Sequence, residues 1–296
     1  MKGNNILDYA LLALVALCVS CQDVFKKQFN KKKLKGTYLF TAMLAFFAML
    51  FFLGVNLIPS NSDWYYRPML LVPSAGFALA YASATVFSVL AIKNGSLAKT
   101  SLIVSCSLLV ASAYGIIFLG ESITPTLVMG TVLLLVSLVL VNYEKKDSSQ
   151  PVTLRWIIYV SLAFVGNGMC TVVQKIKQET FDNAGNNMFM IVGLAMVAVI
   201  MLCLALTSAE ERNQMGRVIK YGWLWALLCG VANGLTNFLV IFLNNRLSAS
   251  VMFPVISGGG MVLIFLYSVI FARERFKPRQ IVGFFLGIAS IVILNL

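Results

Sequence analysis

The side chains able to do chemistry in this chain are few and mostly neutral. Histidine is absent, which removes imidazole metal sites, histidine proton relays and Ser-His-Asp arrangements together. Asn233 and Asn237 stand four residues apart, a spacing that puts both on one helix face. Tyr81, Thr85 and Ser88 form a second stripe; Asn167, Thr171 and Gln174 form a third; Ser101 and Ser105 form a shorter one. Ser250, Pro254 and Ser257 lead into the run Gly258, Gly259, Gly260. An amide offers a donor and an acceptor to a small polar molecule and is costly to bury unpaired. Asn167, Asn233 and Asn237 are therefore expected to line a polar compartment, with Tyr81, Thr85, Ser105 and Ser257 as further substrate contacts. For any single Ser or Thr the plainer role is a bond between helices, worth about 0.6 kcal/mol in a membrane. Pro254 removes a helix hydrogen bond, so with the glycines it suits either a gate hinge or close helix packing.

Charged candidates cluster at the ends of apolar runs. Asp23, Lys26 and Lys27 close the first run, and Lys175 and Lys177 close the sixth. Asp23 and Lys27, at i and i+4, are expected to neutralise each other. Asp23 is the one acid of 11 expected inside a span. Lys26 and Lys175 either snorkel to the interface, the favoured reading, or draw an anion to each mouth of a pathway; coupling through Asp23 stays open. The six cysteines lie in apolar runs, and Cys18-x-x-Cys21 has no second pair, so they read as small buried hydrophobes.

These groups need elements to hold them, and composition says which kind. Of 296 residues, 59% are hydrophobic and 11% charged, with a mean hydropathy of +0.87. Soluble domains carry about 25% charged residues, so a water-soluble enzyme and a disordered chain are both excluded. Ten apolar runs of near bilayer length appear, at 6–25, 38–58, 69–92, 97–119, 125–142, 154–174, 187–206, 221–243, 248–271 and 278–295. Hydrophobicity this continuous is not that of barrel strands. An all-α membrane protein with ten transmembrane helices follows, because only helices satisfy their own backbone in lipid. The first run lacks a small-residue cleavage site and is expected to stay as an anchor.

The polar stretch 144–153 divides the chain into a repeat at 1–143 and a repeat at 154–296. Laying 118–142 on 271–295 matches eight of 25 positions without a gap, including Glu121/Glu274, Pro125/Pro278, Gly130/Gly283 and Ser137/Ser290. Five spans per half, an odd number, turn the second half upside down relative to the first. That arrangement places a site near the midplane between the halves. Thr124 and Pro125 read as helix cap and first helical residue. Glu121 and Glu274 precede Pro125 and Pro278, where each carboxylate is expected to meet the dipole of the helix that follows, as a structural turn. Gly230-x-x-x-Gly234 and Gly283-x-x-x-Gly287 read as helix-packing motifs.

Of 23 Lys and Arg residues, 18 lie in the loops after spans one, three, five, seven and nine or in the first three residues of the span that follows. Positive residues stay cytoplasmic, so both termini are expected outside. The net charge of +12 is a topology signal in this placement, and no nucleic-acid partner is expected.

The five-plus-five pattern, with Phe118-Leu119-Gly120-Glu121, Pro125 and Gly130 repeated as Glu274, Pro278 and Gly283, resembles the drug/metabolite transporter superfamily, EamA-type branch. The resemblance covers nearly the whole chain. It implies a central cavity lined by spans one, three, four, six, eight and nine, with five and ten outside. It also implies a plasma-membrane carrier that exports amino acids, drugs or similar metabolites. Its members generally have cytoplasmic termini, against the Lys/Arg distribution here. The expectation is a secondary transporter working by alternating access, with no cofactor and a small-molecule substrate. A lipid-head-group flippase, or an exchanger of phosphorylated or nucleotide-linked metabolites, is the alternative. No GxxxxGK[ST] loop for ATP is present, and no converging acid, base and nucleophile set suggests an enzyme.

Overall fold

The computed structural model describes residues 5–58, 63–65, 67–119, 124–142, 153–181, 184–244, 249–274 and 276–294. Apolar runs of this length become helices, and all regular structure among the described residues is helical: α1 (Asn5–Lys31), α2 (Thr37–Asn56), α3 (Leu71–Asn94), α4 (Leu97–Ser105), α5 (Leu108–Leu119), α6 (Pro125–Asn142), α7 (Leu154–Phe181), α8 (Asn186–Thr207), α9 (Ala209–Asn244), α10 (Ala249–Ile270) and α11 (Pro278–Leu294). Pro125 and Pro278 each open a helix, as their missing N–H favours. Among the described residues, six helices are long and apolar enough to cross a membrane: α1, α2, α3, α7, α8 and α9.

Two expectations need correction. The fourth run, read as one span over 97–119, is severed: α4 ends at Ser105 and α5 starts at Leu108. No Pro or Gly marks the break. It is held by the Cys106 thiol against the Leu102 carbonyl and by Asn167 Nδ2 donating to Ser107 Oγ at 2.7 Å. The ends of α1, α7 and α9 also run beyond the apolar runs that announced them, to Lys31, to Phe181 and back to Ala209. Charged side chains continue a helix once its backbone leaves hydrocarbon, and hydropathy windows stop short of them. By contrast α10 is one helix through Pro254 and the three glycines; the interruption lies instead in its repeat mate.

The helices pack mostly across the two halves, and the pattern of neighbours repeats when the halves are exchanged. With α1 matched to α7, α2 to α8, α3 to α9, α4–α5 to α10 and α6 to α11, α1·α9 corresponds to α7·α3, α2·α9 to α8·α3, and α1·α10 to α7·α4 and α7·α5. Three self-corresponding pairs, α2·α8, α4·α10 and α6·α11, also pack directly. In α6·α11 the repeat can be read atom by atom. Ser137 Oγ donates to the Gly283 carbonyl at 2.6 Å, and Ser290 Oγ donates to the Gly130 carbonyl at 2.7 Å. Both serines are fully buried. Ser137/Ser290 and Gly130/Gly283 are the pairs that match at one offset in the sequence, so the two bonds are images of one another and the helices run antiparallel. The glycines let the backbones approach: a Cβ on Gly283 would stand 2.6 Å from Leu140 Cβ. Gly230, whose Cβ would meet the Leu44 carbonyl at 2.6 Å, seats α9 on α2 in the same way.

The outward faces are apolar. On α6, Val128, Val132, Val136 and Val139 are exposed while Ser137 is buried. Polar groups inside and aliphatic groups outside invert the pattern of a soluble bundle and suit a lipid surround.

Candidate functional site

Polar side chains inside such a bundle must find partners, and they do so along α1. Gln22, one position before Asp23, is the hub. Its Oε1 accepts from Asn233 Nδ2 at 3.1 Å, and its Nε2 donates to Thr236 Oγ1 at 3.4 Å. Asn237 Nδ2 turns back onto the Asn233 carbonyl at 2.8 Å. The α9 asparagines thus share one face, as their spacing requires, and Asn233 meets α1 across the interface between the halves. The sequence reading passed over Gln22; a neutral amide in an apolar run was the available signal.

A charged cluster follows directly. Asp23 Oδ1 accepts from Lys26 Nζ at 2.9 Å, and its other oxygen accepts from Ser101 Oγ of α4 at 2.5 Å. Lys26 also donates to Ser88 Oγ of α3 at 3.4 Å. The expected Asp23–Lys27 pair does not form. Lys27 instead pairs with Glu274 from the turn after α10. Nor does Lys26 snorkel: its ammonium folds inward onto Asp23, with 13% of its side chain exposed. Asp8, also in α1 and 4% exposed, is a second acid where only Asp23 was expected.

Glu274 departs from its expected role in an informative way. Its carboxylate does meet a helix N-terminus, but that of α4 rather than of its own α11. It accepts from Ser96 Oγ at 2.6 Å and from the Leu97 N–H at 3.0 Å. Glu211 does the same for α2, whose preceding residue Gly36 supplies no side-chain cap. Its two oxygens accept from the Tyr38 and Leu39 N–H groups, each at 3.0 Å. Helix starts leave orphan N–H groups, and here carboxylates of the second half satisfy those of the first.

These ties gather at one end of the bundle, beside the Lys31–Lys35 turn. The other end is held by amide and backbone groups together with Asp63 and Lys177. Asn56 Oδ1 accepts from Asn187 Nδ2 at 3.2 Å, the Gly185 N–H donates to Asp63 at 3.2 Å, and buried Lys177 donates to the Ala184 carbonyl at 2.7 Å and to Asn186 at 2.6 Å. Lys177 therefore also points inward.

The remaining candidates fall as follows. Thr85 is buried on α3 beside half-buried Tyr81, which hydrogen-bonds it. Ser105 is half-buried at the end of α4, and exposed Asn167 lies against the α4–α5 break. Lys175 is half-buried on α7. Glu121 and the side chains of Pro254 and Ser257 lie outside the described residues. The structure thus brings Tyr81, Thr85, Asn233, Asn237, Asp23 and Lys26 around α1, α3 and α9. It sets Asn167 and Ser105 at the break in span four.

The model of one family, described as the EamA-like transporter family, matches the chain twice, over residues 7–143 and 154–296. The chain belongs to the EamA-like transporter family. The double match is the two-repeat organisation again, and it makes this all-helical, multi-pass chain a membrane transporter by family. A crystal structure described only as that of a protein resembles this EamA-like chain with a TM-score of 0.65. It covers 96% of this chain and 94% of its own at 14% identity, a likeness of fold alone. No curated protein matches.

Proposed function

We propose that this EamA-like protein is a secondary transporter that moves a small polar organic metabolite, such as an amino acid, out across the plasma membrane by alternating access. In this reading ten spans, with α4 and α5 sharing one, form two five-helix repeats inverted relative to each other. The substrate binds between the halves among Gln22, Tyr81, Thr85, Asn233 and Asn237, and near Asn167, Ser105 and Ser257. Asp23 and Lys26 bias the same compartment, with Lys175 and Pro254 as further coupling or gating positions.

The observation that carries the reading is the polar chain of α1, in which Gln22 crosses to Asn233 and Thr236 of the second half while Asp23 and Lys26 tie α1 to α4 and α3 of the first, inside a bundle whose outer surface is aliphatic. Groups this costly to desolvate mark a pathway in a membrane protein. A binding site built from amides and a self-neutralised ion pair suits a substrate without large net charge. No covalent step is required.

Flux of radiolabelled amino acids in proteoliposomes tests it. Wild-type protein should accumulate or release label against an empty-vesicle control, and Asn237→Leu should lower the rate at least about tenfold, the order expected for losing a buried substrate contact. Movement of labelled lipid in place of any water-soluble metabolite would replace this reading with the flippase.

A further inference from the structure

We propose that α4 is the moving gate of the lysine-rich end, latched by two carboxylates: Glu274 at its N-terminus and Asp23 on its flank. The proposal rests on the transport reading above and adds which element opens. α4 has nine residues and passes to α5 through a turn at Cys106–Ser107, where the Ser107 N–H bonds the Val104 carbonyl three residues back, and this turn is the hinge on which α4 tilts. Directional ties from other elements hold it along its length. Glu274 binds Ser96 Oγ and the Leu97 N–H while pairing with Lys27; Asp23 binds Ser101 Oγ; Trp156 Nε1 of α7 donates to Thr100 Oγ1 at 3.0 Å. Leu97, Ala98 and Leu102 are fully buried, within an apolar cluster that includes Met261 and Phe284. Apolar contacts of this kind slide by small shears, whereas the polar ties must break.

The second latch explains how occupancy reaches the gate. Asp23 holds Lys26 with one oxygen and Ser101 with the other, and Lys26 reaches Ser88. A substrate group that takes up Asp23 competes with Ser101 and so loosens α4. Glu211 is the comparison: it caps α2, which packs along α8 and α9.

Hydrogen–deuterium exchange of the full chain in lipid nanodiscs tests this, with Glu274→Gln as the main variant. Losing a charge-assisted bond should speed exchange over Leu97–Ser105 at least about tenfold, with residues 108–119 changed less than about twofold. Residues 63–70 and 184–187 at the opposite end should exchange more slowly, because opening one face closes the other. Glu211→Gln should leave Leu97–Ser105 unchanged. Acceleration through α4 and α5 together would overturn the proposal, as would faster exchange confined to the first turn with the opposite end unmoved, which is the mark of a mere cap. Should Glu274→Gln fail to fold, Ser101→Ala keeps the cap intact and should give the same pattern at smaller amplitude; no change there also overturns it. The readout does not depend on flux, so absent transport by wild-type protein would refute the transport reading separately.

Discussion

Gln22 and Asp23 are neighbours on α1 that serve opposite directions: the amide reaches α9 through Asn233, and the carboxylate reaches α4 through Ser101. Each interaction leaves a polar group stranded if one partner is removed, and a stranded buried group costs more than a satisfied pair gains. Gln22→Leu should therefore lower unfolding stability by about 1–3 kcal/mol, read as a reduced thermal midpoint in detergent, and should slow flux as well. Asn56 offers a second case. It is fully buried, its Oδ1 accepts from Asn187 and from the Asp63 N–H, and its Nδ2 has no partner among the described residues. Asn56→Ala loses two bonds but strands little of its own, so a drop of about 1–2 kcal/mol in the same assay is expected.

At the scale of elements, the α6·α11 contact is the cleanest trace of the repeat. Its two serine bonds are images of one another, so Ser137→Ala and Ser290→Ala should cost nearly the same, about 0.6 kcal/mol each by analogy with measured bonds between membrane helices. The double variant should cost the sum, since each bond has its own carbonyl. Gly283→Leu should cost several times more, about 2–4 kcal/mol, because it drives the two backbones apart. Gly54→Ala is the control, with nothing within 4 Å of the new Cβ, and should be neutral or slightly stabilising. Thermal unfolding of the five variants ranks them. The matched glycines, serines and prolines made this pairing legible in the sequence, because identical residue types at one offset mean one geometry used twice. The break in span four was not legible: Val104, Ser105, Cys106 and Ser107 contain no helix breaker, and it depends on Asn167, 60 residues away. Glu274 was seen as a helix-terminus carboxylate, yet its client helix lies 177 residues upstream, and local spacing cannot name a tertiary partner. Lys26 and Lys27 were misassigned for the same reason, since the second carboxylate was not visible along the helix.

Across the whole molecule, the two ends of the bundle are tied by different chemistry. One end carries the Glu274 and Glu211 carboxylates and the Lys31–Lys35 turn; the other carries the amide and backbone contacts around Asn56 and Gly185. A bundle built from two equivalent units facing opposite ways must place matching turns of the two units on opposite sides of the bilayer. Lys33, after α1, and Ala184, after α7, occupy such matching turns, and both are exposed. Their positions can be read with a membrane-impermeant maleimide on intact cells carrying Lys33→Cys or Ala184→Cys. The account predicts labelling of Ala184→Cys from outside, and of Lys33→Cys only after permeabilisation. Labelling of both from the same side would contradict it.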